Sequence, residues 1–368
     1  MPILIILIVA GLVMGVQRLI YKKYWDKALQ AKVSFSDYYL FEGGSTTVEE
    51  VMRNAKLLPL PWVHLKFQIL RNGKSDNLFS SDIFNILFHQ QITRKSRLTL
   101  QKRGIYQIQS LDLLSYDLFI TSKFVKKLDN QASVTVFPVA LADTAVQVSY
   151  EKLMGRIATR RYTLEDPFLF KGIRPYQPQD SFKNINFNAS ARAGEWLVNT
   201  HEYTLEQKVK IVLLTDKSTN YFDETAYEQG LRYAAALSAR LEKEGVPVSF
   251  MTNGLDSIDH TEPYLEAGAS PNHTDALLEL LARLDLMETG REGSKILDDL
   301  RENRQADEYY VIIAPDRGRS LLDGYLRLRE YTDAAQMVVP IRAMDFFDLP
   351  LEDQKREEMV EGYLYYKI

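Results

Sequence analysis

From Ile3 to Val16 every residue is apolar or Gly, and the run resumes at Leu19-Ile20-Tyr21 after Gln17-Arg18. About 20 apolar residues in a helix match the hydrocarbon thickness of a bilayer, so such a stretch points to a spanning helix. No positive segment precedes the run and no small-x-small cleavage motif follows it. Those absences favour a retained transmembrane anchor over residues 1–24 rather than a cleaved signal peptide. Arg18, Lys22, Lys23 and Lys27 come next, with Tyr21, Tyr24 and Trp25 at interface depth. Positive charge on that side predicts a single-pass protein of the cell membrane, the bulk of the chain being cytoplasmic.

The 368-residue chain leaves room for two further cores. Residues 33–138 read as an all-β sandwich. Val33–Leu40, Thr47–Met52, Val63–Leu70, Ile83–His89, Ser96–Gln101, Tyr106–Leu113 and Val134–Phe137 are strand-like, divided by turns such as Arg71-Asn-Gly-Lys74. Leu58-Pro-Leu-Pro-Trp62 is read as excluded from a central strand, because proline lacks a ladder donor. Residues 139–200 form a linker, with a short helix over Val148–Ala158 and then a Pro- and aromatic-rich run. Residues 201–368 alternate strand and helix, as a doubly wound parallel sheet requires. Strands are expected at Val209–Thr215, Val246–Met251, Tyr309–Ala314 and Met337–Ile341, and helices at Glu224–Glu244, Thr274–Leu286 and Lys295–Arg304. The fold class is therefore α/β plus all-β behind a transmembrane helix.

Composition narrows the chemistry. With no Cys, the chain has neither disulfides nor thiolate chemistry, and its net charge of −4 carries no nucleic-acid footprint. Phosphate loops, a Gly-x-Ser-x-Gly elbow and helical His pairs are also missing from the sequence. What remains is a set of oxygen donors at expected strand ends. Asp216, Ser218 and Asn220 follow one strand, Asp316 follows another, and Thr274 opens a helix. Hard oxygen ligands of this kind suit Mg²⁺ or Mn²⁺, whereas Asp and Ser after a strand also cap helices. Asp256, Asp259, His260 and Glu262 form a second acidic group, read either as a metal site or as a solvated loop. Two functions follow: a non-enzymatic interaction protein, or a divalent-metal hydrolase using Asp216 and Asp316.

Arg174-Pro-Tyr176-Gln-Pro-Gln-Asp180, then Ile185-Asn-Phe187, Ala189-Ser-Ala-Arg192 and Leu197-Val198, resembles the signature of the domain-of-unknown-function 58 (DUF58) family. Gln179 stands where that family has Gly, and Phe187 where it has Trp. Arg103-Gly-Ile-Tyr106 resembles a second family stretch in the β-rich region. The resemblance implies a von Willebrand A-like C-terminal domain. Its metal-ion-dependent adhesion site would fall on Asp216, Ser218, Asn220, Thr274 and Asp316, with Asn220 an imperfect match. It also implies a MoxR-type AAA+ ATPase and other von Willebrand A proteins as partners, in a chaperone or assembly role. For Arg174, Asp180 and Arg192 two roles stay open: a charge-assisted network fixing the linker, or a partner-docking patch. The acidic tail Leu351–Glu361 reads as a solvated helix or a docking element.

Overall fold

The computed structural model describes residues 2–161, 170–178, 180–201, 207–217, 224–305, 307–316, 318–341 and 363–367. Two compact units divide the chain. One comprises Met1–Val139 with Asp256–His260 and Leu278–Asp285, and the other holds the rest.

In the first unit, helix α1 (Pro2–Tyr24) is long and apolar enough to cross a membrane, with a mean hydropathy of 2.5. Strands β1 (Leu29–Phe35), β2 (Tyr39–Phe41), β3 (Ser45–Asn54) and β4 (Leu60–Arg71) follow. Then come β5 (Lys74–Ile86), β6 (Gln90–Thr99), β7 (Gly104–Tyr116) and β8 (Lys123–Phe137). They form a three-stranded sheet, β1-β3-β6, and a five-stranded sheet, β2-β8-β7-β4-β5. Alternate residues turn inward as the pleat dictates, so Val33, Val48 and Met52 of one sheet share a core with Val63, Leu65, Ile108 and Val134 of the other. The all-β expectation for this region is met, with longer strands and an extra hairpin from β7 into β8.

Pro61 is the second residue of β4, but pairing with β7 begins only at Val63, so the Leu58–Trp62 stretch is not flanked on both sides, in keeping with its exclusion from a central strand. On the β5 side pairing jumps from Leu60↔Ile86 to Val63↔Phe84, an irregularity that spares the ladder a donor at Pro61.

The last turns of α1 belong to this core. Tyr21 and Trp25 are buried in the cluster, and Trp25 stacks on Phe124 with ring centroids 5.9 Å apart. The Tyr21 hydroxyl donates to Pro59 O at 2.6 Å. Lys56 Nζ donates to Trp25 O at 2.8 Å and Lys27 O at 2.9 Å, closing the carboxyl end of the helix. Burial lowers the Lys56 amine to about 8. Elsewhere in the unit the buried Arg103 guanidinium donates to the carbonyls of Leu281 (2.6 Å), Ala282 (3.2 Å) and Leu284 (2.9 Å).

The second unit opens with α2 (Asp143–Arg161), β9 (Phe170–Pro175), α3 (Phe187–Ala193) and β10 (Leu197–His201), the two strands pairing antiparallel. Next are β11 (Lys208–Leu213), α4 (Glu224–Lys243), β12 (Val248–Thr252), β13 (Gly254–Asp256) and β14 (Tyr264–Gly268). Then follow α5 (Pro271–Arg283) and β15 (Leu284–Thr289), whose residues Leu278–Asp285 belong to the first unit, and α6 (Gly293–Glu302), β16 (Glu308–Ile313), α7 (Arg319–Tyr331), β17 (Ala335–Ile341) and β18 (Tyr363–Lys367). A six-stranded sheet runs β14-β12-β11-β16-β17-β18, all parallel except the antiparallel edge β14. β13 pairs with β15.

Helices cover both faces of the six-stranded sheet. Val212, Leu214, Tyr310 and Ile312 pack with Ile296, Leu297 and Leu300 of α6 and with Leu321, Tyr325 and Leu328 of α7. The alternate residues Leu213 and Ile313 face α4, which approaches so closely that a Cβ on Gly230 would lie 3.2 Å from Ile313 Cγ2. Gly245 ends α4 at φ 70 with its N–H on Glu242 O, the expected left-handed cap. Two expectations change: the helix over Thr274–Leu286 stops at Arg283 and continues as strand β15, and β14 replaces an expected loop. The acidic tail Leu351–Glu361 lies outside the described residues.

Candidate functional site

Adjacent parallel strands β11 and β16 end in register, Leu213 opposite Ile313, so the segments leading to Asp216 and Asp316 leave the same sheet edge side by side. Both aspartates line a cavity of about 260 Å³ together with Lys217, Glu292, Ser294 and Arg319. The amino ends of α6 and α7 border it. Strand order reverses between β11 and β16, and in open parallel sheets the carboxyl edge at such a point is where ligands sit.

Asp216 is held by neutral donors. Gly293 N donates to Oδ1 and Asn253 Nδ2 to Oδ2, each at 2.7 Å. The residue before α6, Glu292, makes no side-chain cap, so the carboxylate from the β11 loop caps that helix in its place. Asn253 is fully buried and ties the arrangement together. Its Oδ1 accepts from Thr215 N at 2.7 Å, and its Nδ2 also donates to Arg291 O at 3.0 Å. Thr289 Oγ1 donates to Thr215 O at 3.1 Å, and the Tyr227 hydroxyl donates to Asp216 O. Burial pushes the Asp216 carboxyl up against the pull of the Gly293 and Asn253 hydrogen bonds, and the Asp316 charge adds to the rise. Sequence reading passed over Asn253; its position just past the end of a buried parallel strand was the available signal.

Thr274 is not at this edge. Its hydroxyl donates to Glu242, in the last turn of α4. The chain reaches α5 from Gly268, which pairs with Val248 at the opposite, amino-terminal edge of the sheet. An antiparallel β14 reverses the chain before the helix begins, and that placed the threonine at the wrong end. Ser218 and Asn220 lie outside the described residues. Among the described residues no group of three or more His, Cys, Asp or Glu side chains is arranged to hold a metal ion. Both oxygens of Asp216 already accept N–H donors, and its cavity is lined by the cations Lys217 and Arg319 as well as by Glu292 and Asp316.

The second acidic group is divided: Asp259 and His260 sit exposed in a turn, as a solvated loop requires, while Asp256 is buried. Buried Asp256 and exposed Asp259 each pair with Arg283 at 2.9 Å. Glu262 accepts the Arg291 backbone N–H at 2.7 Å and pairs with its guanidinium, which also reaches Asp299 at 2.9 Å.

In the 170–201 segment, Arg174 forks onto Asp180, both N–H···O distances being 2.6 Å, and Gln177 N adds a third donor at 2.8 Å. The Arg174 hydrogen bonds, followed by that of Gln177, hold the Asp180 carboxyl below the usual carboxylate range. Arg192 lies exposed on α3, outside this fork. Tyr176 tilts against Phe182 at 5.8 Å. Phe187 meets Trp196 edge to face at 6.2 Å, although the two are 66% and 58% exposed. With Ser190 and Glu195 these rings border a cavity of about 460 Å³. Gln179 lies outside the described residues.

No protein-family model matches the chain, so the DUF58 resemblance finds no support there. No curated protein matches its sequence. Among solved structures, the CARDB domain of the PF1109 protein from Pyrococcus furiosus is 16% identical at TM-score 0.23, covering 29% of this chain and 91% of that one. The bacterial hydrophobin BslA is 16% identical at TM-score 0.21, covering 31% and 97%. A non-cellulosomal cohesin from Archaeoglobus fulgidus is 12% identical at TM-score 0.20, covering 29% and 91%. Likeness this slight establishes neither fold nor function.

Proposed function

We propose that this chain is a membrane-anchored protein-interaction module without a catalytic centre of its own. The observation that carries the reading is the Phe187–Trp196 pair. Two large aromatic rings stay in water beside a cavity, on a segment fixed by the Arg174–Asp180 fork. Exposed rigid aromatics of this kind are the usual anchors of protein interfaces, because they bury much apolar area while losing little side-chain freedom. The fork supports the fixing role for the signature and the rings support the docking role, so one short segment serves both.

Retention of α1 is part of the same reading. A cleaved leader has no reason to supply core residues, whereas Tyr21 and Trp25 pack inside the first unit. The von Willebrand A-like reading of the second unit draws support from its strand order. Numbered within the sheet, the order is 3-2-1-4-5-6, that of doubly wound sheets, with the first edge strand reversed. In this reading Asp216 orders the carboxyl edge by capping α6, and no step passes through a metal. A MoxR-type AAA+ ATPase is the partner class the resemblance implies.

Pull-down of the full chain from membranes in mild detergent tests the proposal, with a co-expressed MoxR-type ATPase as the named candidate. A Phe187→Ser/Trp196→Ser double variant is expected to lose partners that the parent retains. An unchanged partner set in that variant overturns the assignment. Turnover of phosphoester or peptide libraries that needs Mg²⁺, Asp216 and Asp316 together would replace it with a hydrolase.

A further inference from the structure

We infer that the β-rich unit is seated in the bilayer surface by three apolar loop tips surrounding the exit of α1. This rests on the reading of α1 as a membrane span. The connections β3–β4 (55–59), β5–β6 (87–89) and β7–β8 (117–122) all lie at the end of the unit where α1 enters, because Asn54 pairs with Gln90 and with Leu29, the first residue of β1, while Leu60 pairs with Ile86 and Val63 with Ser115. Hydrogen bonds tie them together there. Asn54 Nδ2 donates to Leu58 O and Leu87 O, both at 2.9 Å. Tyr21 holds Pro59 O, and Gln17 Nε2 donates to Asp117 Oδ2 at 3.1 Å.

Hairpin tips are ordinarily Gly, Asn, Asp or Ser. These instead expose Leu57 (76%), Leu87, Phe88 (59%), Leu118, Phe119 (53%) and Ile120. Ile120 even holds φ 58, a left-handed conformation that β-branched residues rarely adopt. At the opposite end of the unit the turns Glu42-Gly-Gly44 and Asn72-Gly73 follow the ordinary rule and Gln101-Lys102 is polar, although Tyr39 and Phe41 of β2 are exposed there.

The lipid-facing surface of α1 does not stop at Gln17, because Leu19 and Ile20 beyond it are exposed and apolar. The 117–122 loop, fastened at Gln17, then lies within roughly 5–10 Å of the headgroup boundary on its acyl side, the depth at which interfacial apolar groups settle. Exposed Lys22, Lys23 and Lys27 follow at headgroup level. The occupant of this apolar ring is thus the lipid surface that α1 enters.

The absence of Cys makes the test direct. Single variants Val9→Cys, Phe88→Cys, Phe119→Cys and Gln101→Cys of the full chain would carry an environment-sensitive fluorophore. They would be reconstituted into phosphatidylcholine–phosphatidylglycerol vesicles containing lipids brominated near the glycerol or near the methyl end. Val9 is expected to be quenched by deep bromines, Phe88 and Phe119 by shallow ones, and Gln101 by neither. Quenching at Val9 with Phe88 and Phe119 as silent as Gln101 overturns the seating while leaving the span intact. A blue shift at the loop positions without quenching assigns the ring to a protein or a second copy of the chain, and also overturns it. Silence at Val9 removes the span itself, and the seating with it.

Discussion

Glu50 offers a quantitative check on the β-rich core. It sits on the central strand β3 of the three-stranded sheet, between Val33 of β1 and Arg94 of β6, with only 2% of its surface exposed. Its Oε2 has no hydrogen-bond partner. Burial first, then the negative charge of Asp82, push its carboxyl from 4.5 to about 7, while Arg94 pulls the other way. A carboxyl raised on folding favours the folded state below its unfolded value, and that contribution is lost as pH rises through the folded one. Between pH 4.5 and 7 the loss amounts to roughly 3 kcal/mol, at 1.36 kcal/mol per pKa unit. This is a large fraction of the 5–15 kcal/mol that typically stabilises a domain. Glu50→Gln keeps the shape and removes the titration. Thermal melts of the full chain in mild detergent, followed from pH 4 to pH 8, should show the parent losing stability across this window. The variant should stay flat and melt higher at pH 8. Parallel curves for the two proteins would show that the proton belongs elsewhere and refute the reasoning.

Other perturbations probe the remaining contacts. Gly293→Ala drives a Cβ into Asp216 Oδ2 and should cost about 1–3 kcal/mol, with a smaller cost in an Asp216→Ala background; chemical denaturation of the four proteins measures both. A double-mutant cycle on Arg174 and Asp180 should be non-additive, and strictly additive melting shifts would exclude the fork as a unit. Because Asp180 lies below its ordinary value, its contribution should be present above the unfolded carboxyl pKa and fade as pH falls through the folded one. Trp25→Ala empties a core position stacked on Phe124 and should cost about 3–5 kcal/mol; faster protease cleavage in the 25–29 segment would report the loosened helix seat.

Much of this architecture was legible in local pattern. The apolar run of α1, the alternation in β3 and β7, the stripe and Gly245 cap of α4, and the buried runs of β11 and β16 each announce themselves over a few residues. Pattern failed where a single reversal changes the address of everything after it. The antiparallel β14 carries the chain back across the sheet, so α5, with Thr274 in its first turns, begins at the amino-terminal edge instead of beside Asp216.

Side-chain period and turn chemistry are carried by neighbouring residues, so the amino-acid order alone determined the long apolar helix, the β-rich half, the alternating half and the two aspartates at strand ends. What those aspartates touch was decided only in three dimensions. Asp216 acquires its role as a helix cap from Gly293 and Asn253, which lie 77 and 37 positions away along the chain. Sequence spacing holds no record of which strands lie side by side. Register and chain reversal set those distances, and they exist only once the sheet has formed.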